Sequence, residues 1–215
     1  AAIVKGVTMS FLKRFIEPHA AECAGKTTSQ VTGAVDSGAI SWAEPGVIVK
    51  ETEASKLSYV DAFPLDRDEV GVATLFVSHP WGGRFDALVD SCARFPEETF
   101  WIDIFCAPQA MHSSLEDMEG IYGGAVQATH TLVFYASPLL DEWTAPRQRF
   151  LSAEREACGS TPSPWVRSGP HSTTRAWCLL ELAEAVHGKR NVMIALNPAE
   201  EDDLGRILTR DIEKV

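Results

Sequence analysis

The chain has no excess of basic residues, and this absence narrows the choice of partners. Its 215 residues contain 19 Lys and Arg against 30 Asp and Glu, which gives a net charge of −11 at pH 7. Nucleic acids and anionic membranes are usually bound through stripes of Lys and Arg, so we expect no nucleic-acid partner. No run of apolar residues is long enough to span a bilayer, and we therefore expect no membrane insertion.

The sequence also lacks paired cysteines and paired metal ligands. Its cysteines are odd in number and none forms a CxxC pair; they are Cys23, Cys92, Cys106, Cys158 and Cys178. His112 lies near Cys106 but has no second pair of ligands at zinc spacing. We therefore expect reduced, mostly buried thiols, no metal and no cofactor. The start shows no signal-peptide pattern, which favours a cytoplasmic protein, although a chain that begins with Ala leaves a removed leader open.

The rhythm of apolar residues divides the chain in two. Residues 1–69 read as a partly helical N-terminal extension, with helices expected at 7–21 and 27–39. From Val70 onward, expected strands at 72–78, 99–105, 131–136 and 191–196 alternate with helices at 84–95, 115–129 and 174–187. This alternation predicts an α/β domain over residues 70–215, built on an open parallel sheet with helices on both faces. A Pro-rich insert interrupts it at about 138–173.

The strand centres should be covered on both faces of such a sheet. We therefore expect almost complete burial of Leu75, Val77, Ile102, Ile104, Leu132, Phe134 and Ile194.

Polar residues collect where the predicted strands end. Ligands of an open parallel sheet bind outside the carboxyl ends of its strands. The segments that should meet there are 78–83, 103–109, the stretch from 137, and the start of the helix at 174. They supply the candidate residues Ser78, His79, Trp81, Asp103, Gln109, Arg175, Trp177 and Glu181.

The helix predicted at 174–187 carries the sharpest signal. At about 100° per residue, one face is apolar and should face the core: Leu179, Leu182, Ala183 and Val186. Trp177 and Glu181 lie four residues apart on another face, so they are neighbours on the helix surface. An aromatic wall beside a carboxylate suits a cationic or heteroaromatic ligand. In the alternative interpretation, Trp177 packs under the Pro-rich insert and Glu181 is solvated.

The order of these parts resembles a TIR domain, the Toll/interleukin-1 receptor homology domain. The segments are FVSHPW at 76–81, FWIDIF at 100–105, LVFYASP at 132–138 and RAWCLLEL at 175–182. They are similar to segments of plant TIR domains and of TIR-like proteins of algae and protists, and the resemblance covers about residues 70–196. It implies a flavodoxin-like fold and self-association or assembly with other protein subunits.

The same resemblance implies an activity, cleavage of NAD+ at its nicotinamide–ribose bond, with NAD+ as substrate rather than cofactor. Glu181 would be the catalytic residue, and Trp177 would shield the ribose. The other substrate-binding residues implied are Ser78, His79, Trp81, Asp103 and Arg175. The alternative function is a non-catalytic TIR-type interaction module or a structural subunit of a larger assembly. Two weaker candidates are Cys178 as a nucleophile beside His79, and a phosphate cradle at Gly82-Gly83.

Overall fold

Strands and helices alternate along the chain in a computed structural model of the protein, which describes residues 3–33, 45–109, 115–135, 176–196 and 201–202. The strands are β1 (Lys5–Val7), β2 (Val70–Val72), β3 (Leu75–Ser78), β4 (Phe100–Trp101), β5 (Thr131–Tyr135) and β6 (Asn191–Ala195). The helices are α1 (Met9–Ile16), α2 (Ala20–Cys23), α3 (Thr28–Thr32), α4 (Val47–Thr52), α5 (Tyr59–Ala62), α6 (Phe85–Cys92), α7 (Asp103–Cys106), α8 (Leu115–Ala128) and α9 (Ala176–His187).

The strands form one six-stranded sheet in the order β2-β1-β4-β3-β5-β6. β3 runs parallel to both β4 and β5, and β5 runs parallel to β6, as the strand and helix alternation predicts. β1 is antiparallel to both β2 and β4, so the sheet is mixed, and the prediction of a wholly parallel sheet is wrong on this side. A Cβ atom on Gly6 of β1 would lie 2.7 Å from the carbonyl oxygen of Phe100, so this close approach requires glycine.

Side chains of β3 alternate between two hydrophobic clusters, one on each face of the sheet. Leu75 and Val77 join the cluster that contains residues of α1, α5, α6 and α7. Phe76 points to the other side and joins the cluster that α8 and α9 cover. The α/β architecture with helices on both faces is therefore confirmed.

The described residues of the N-terminal segment, 3–33 and 45–69, share the core of the sheet. In addition to β1, they contribute α1, whose first turn is capped by Thr8: its side chain accepts a hydrogen bond from the Phe11 amide. The rings of Phe11 and Phe15 meet that of Phe105 edge to face, with centroids 5.0 Å and 4.9 Å apart. The segment predicted as a helical extension thus packs against α7 at the end of β4.

Two predictions about the strands are wrong. The strand expected at 99–105 stops at Trp101, because Asp103 starts the short helix α7. Its Oδ1 atom accepts the Ile104 amide at 2.7 Å and its carbonyl oxygen accepts the Ala107 amide at 2.9 Å. Ile194 is 66% exposed because β6 lies at the edge of the sheet. The other predicted core residues with described side chains are buried: Leu75, Val77, Ile102, Ile104 and Leu132.

Several expectations fall outside the described residues: those for Arg175, the Pro-rich insert and Cys158, and for the side chains of Phe134 and Trp177.

The four cysteines within the described ranges are free thiols. In those ranges no helix combines the length and apolar character needed to cross a membrane.

Candidate functional site

Helix α9 buries a carboxylate. Glu181 is only 6% exposed and lies on the packed face with Cys178 and Ala185, whereas Leu179 and Val186 are 46% and 64% exposed. The core face predicted for this helix is therefore wrong. The helix carries apolar residues almost all round, so periodicity alone does not select the face that packs against the sheet.

Ser78 is a buried partner of Glu181. The Ser78 hydroxyl donates to Glu181 Oε2 at 2.5 Å, and Ser78 is fully buried. Ser78 is the last residue of β3, in the middle of the sheet, so the carboxylate lies at the carboxyl end of a central parallel strand. This is the edge at which open α/β sheets bind ligands.

A second buried carboxylate, Asp103, lies at the end of the neighbouring strand β4. The indole of Trp81 donates to Asp103 Oδ2 at 2.7 Å. Gln109 supports the same turn, because its side-chain amide donates to the carbonyl oxygens of Asp103 and Ala107 at 2.8 Å and 2.9 Å. Trp81, Asp103 and Gln109 belong to segments that the sequence predicts to meet at the strand ends, and in the structure these three side chains lie together.

His79 lies beside Asp103 with one ring nitrogen unsatisfied. Its Nε2 atom is 3.6 Å from Asp103 Oδ1 and has no hydrogen-bond partner among the described residues. Its Nδ1 atom lies 3.4 Å from the Val77 carbonyl oxygen. A buried polar atom without a partner is costly and rare, and a catalytic or ligand-binding role is one explanation for it.

Tyr122 of α8 is a residue of this region that sequence reasoning missed. Burial, followed by the negative charges of Asp103 and Glu181, raises the pKa of Tyr122 well above its ordinary value. The phenol therefore stays protonated, and both carboxylates act on it. Its ring packs edge to face on Trp101, with centroids 5.5 Å apart. The available signal was helical spacing, since Tyr122 lies three and four residues before the buried Ala125 and Val126.

The N-terminal part of the chain holds the loop between β3 and α6. The amides of Thr28 and Ser29 donate to the carbonyl oxygens of Gly83 and Trp81 at 2.9 Å and 2.8 Å. In return the amide of Phe85, at the start of α6, donates to the carbonyl oxygen of Lys26 at 2.9 Å. These backbone bonds fix the loop that carries His79 and Trp81.

The two weaker candidates from the sequence are the phosphate cradle at Gly82-Gly83 and the nucleophile Cys178, and the structure gives hydrogen bonds for both segments. The Gly83 amide donates to the Pro80 carbonyl oxygen at 2.9 Å, so it closes a turn and is not open to a phosphate. The Cys178 thiol donates to the main-chain carbonyl oxygen of His79 at 3.5 Å. Among the described residues no three His, Cys, Asp or Glu side chains gather closely enough to hold a metal ion.

The arrangement can stabilise positive charge. Two buried carboxylates reach the same sheet edge, Asp103 from the start of α7 and Glu181 from α9, so the potential there is negative. Electrostatic interactions are stronger in such a buried site than in water. Comparisons with known proteins add no relative: no protein-family model, curated protein or solved structure matches the chain.

Proposed function

We propose that the chain is a TIR-like NAD+ hydrolase with a flavodoxin-like domain and Glu181 as its catalytic residue. The observation that carries this proposal is the buried contact between Glu181 and Ser78 at the carboxyl end of β3. Burying a carboxylate costs stability, so a carboxylate kept at the ligand-binding edge of the sheet favours a functional role over a structural one.

The chemistry follows from the charge of the substrate. The nicotinamide ring of NAD+ is a cation, and breaking its bond to the ribose transfers positive charge to the sugar while nicotinamide leaves neutral. Water then adds to the sugar carbon and releases a proton. A fixed carboxylate such as Glu181 stabilises the cationic transition state, as carboxylates do in glycoside hydrolysis.

Ser78 has a positioning role in this proposal. Its hydroxyl holds the Glu181 carboxylate in one orientation before substrate arrives, which reduces reorganisation during the reaction. A ribose hydroxyl of the substrate would take over this hydrogen bond. Asp103 and Trp81 would contact the substrate at the same sheet edge, where their own hydrogen bond orients the indole.

The direct test is release of nicotinamide from NAD+ by the purified chain, followed by chromatography over a series of protein concentrations. We expect release that rises more steeply than in proportion to protein, because the resemblance implies a site completed by self-association. Absence of release from assembled protein would overturn the hydrolase proposal.

The second candidate, an interaction module, has its own supporting observation. Edge strand β6 and the neighbouring α9 expose large apolar side chains: Leu179, Val186, Val192, Met193 and Ile194. Exposed apolar residues at a sheet edge favour association. If this face assembles, Ile194→Lys should reduce the mass measured by light scattering. The matched control is Val72→Lys on the opposite edge strand β2, where the valine is also exposed.

A further inference from the structure

A groove of about 570 Å³ opens between α1 and the segment that follows α5, in the N-terminal part of the chain. Its aromatic wall consists of Phe11, Phe15, Tyr59 and Phe63. The volume falls within the range of roughly 300–1,000 Å³ that small-molecule sites occupy. None of the residues proposed for NAD+ cleavage lines this groove.

The aromatic wall is rigidly packed. The Tyr59 ring is tilted against Phe63 with centroids 4.5 Å apart, and meets Phe15 edge to face at 5.5 Å. Phe11 and Phe15 are anchored in turn on Phe105. Fixed aromatic rings bind organic cations through their faces, which carry negative potential.

Carboxylates surround these rings. Glu17 and Glu69 line the groove, and the Tyr59 hydroxyl, at its wall, donates to Glu51 at 2.7 Å. The Glu69 side chain is 3% exposed and accepts the Asp66 amide at 2.8 Å. Burial, the hydrogen bond to Glu51 and the negative charges of Glu51 and Glu69 together raise the pKa of Tyr59. The groove is therefore a region of negative potential.

The chain itself places a cation at this carboxylate. The guanidinium of Arg14 lies 3.0 Å from Glu69 and 3.1 Å from Asp66. Arg14 is the one arginine or lysine among the lining residues. Because it contacts Glu69 and Asp66, Glu17 and Glu51 have no Lys or Arg partner among the ion pairs of the described residues. The ion pair of Glu51 there is with His19, at 3.4 Å. The groove therefore keeps a net negative charge.

From this combination we infer that the groove binds a small organic cation, an ammonium group carried on an aromatic or bulky apolar body. The apolar body would lie against Phe63 and Tyr59, and the ammonium would face the carboxylates. The proposal does not depend on the activity of the Glu181 site.

The test uses the full chain and two probes of nearly equal shape, phenethylammonium and the neutral 2-phenylethanol, titrated by calorimetry and NMR. We expect saturable binding of the cation, about tenfold tighter than the alcohol, and ring shifts confined to the groove. Equal binding of both probes, or no saturation by the cation, would overturn the inference. A lysine-containing peptide is then titrated in the same way, and binding of this peptide alone would overturn the inference in favour of a protein-docking groove.

Variants with matched controls locate the site. Phe63→Leu removes a partly buried ring of the groove, and Phe95→Leu removes a partly buried ring elsewhere in the same hydrophobic cluster. Glu17→Gln neutralises an exposed carboxylate that lines the groove, and Glu97→Gln neutralises an exposed carboxylate outside it. The groove variants should weaken phenethylammonium severalfold, and the controls should not. Equal effects of the members of a pair would place the cation elsewhere and refute the assignment.

Discussion

The hydrogen bond between Ser78 and Glu181 makes a quantitative prediction about stability. Ser78→Ala deletes a hydrogen-bond donor to the buried Glu181 carboxylate. Hydrogen bonds to charged groups contribute about 1.5–3 kcal/mol, so the free energy of unfolding should fall by about that amount. In a chain of 215 residues this corresponds to a decrease in melting temperature of about 3–12 °C.

Ser78→Ala should have a different effect on stability in a protein that lacks the Glu181 carboxylate. In the Glu181→Leu background the Ser78 hydroxyl is buried with no carboxylate to accept its proton, and removing it should be neutral or slightly stabilising. The double-mutant cycle should therefore give a coupling energy of at least about 1.5 kcal/mol. Urea unfolding of the four proteins, with unchanged slopes, measures it.

A control on α6 separates this coupling from general loss of a buried serine. Ser91 is buried, and its hydroxyl donates to the carbonyl oxygen of Ala87 at 3.0 Å, a neutral acceptor. Ser91→Ala should cost about 0.5–1.5 kcal/mol in both backgrounds. If Ser78→Ala also costs the same in both backgrounds, Ser78 and Glu181 are not coupled and the proposed site loses its central contact.

Two further predictions concern the loop and the thiols. Thr28→Pro removes the amide that donates to Gly83, at a first-turn position that follows the extended Thr27 and accepts proline. Thr28→Val is the control, because it keeps the amide. Hydrogen exchange at the Trp81 indole should be about tenfold faster in Thr28→Pro than in Thr28→Val. Equal exchange rates in the two variants would show that the bond from Thr28 to Gly83 does not hold the loop. Burial raises the pKa of Cys92 to about 12, so at pH 8 only about one thiol in ten thousand is ionised. Native protein should resist iodoacetamide at this residue and urea-unfolded protein should not, and prompt alkylation of the native thiol would contradict the burial.

The alternation of strands and helices could be predicted from the sequence because central strands are apolar on both faces. The short strand β1 could not, since Lys5–Val7 carries no pattern of its own and becomes a strand by pairing with β2 and β4. The end of β4 could not be predicted from the sequence either. Its alternating apolar residues continue past Trp101, and only the Asp103 side chain, bonded to the following amide, turns the chain into α7.

The site was predictable as a set of residues but not as a geometry. Strand ends identified Ser78, His79 and Asp103, because parallel strands bring their carboxyl ends to one edge. The orientation of α9 was misjudged, since Leu179 and Val186 resemble core residues more than Glu181 does. Burial of a glutamate depends on a partner 103 positions away in sequence, which helical periodicity does not reveal.

The central claim is that the carboxylate of Glu181 cleaves the nicotinamide–ribose bond of NAD+. Two variants of the same helix test it most directly: Glu181→Gln removes the buried charge, and Glu184→Gln removes a charge one turn further along that does not contact Ser78 in the described structure. With assembled protein, nicotinamide release should fall about a hundred- to a thousandfold in Glu181→Gln and stay near the wild-type rate in Glu184→Gln. Equal release by wild type and Glu181→Gln would contradict the assignment.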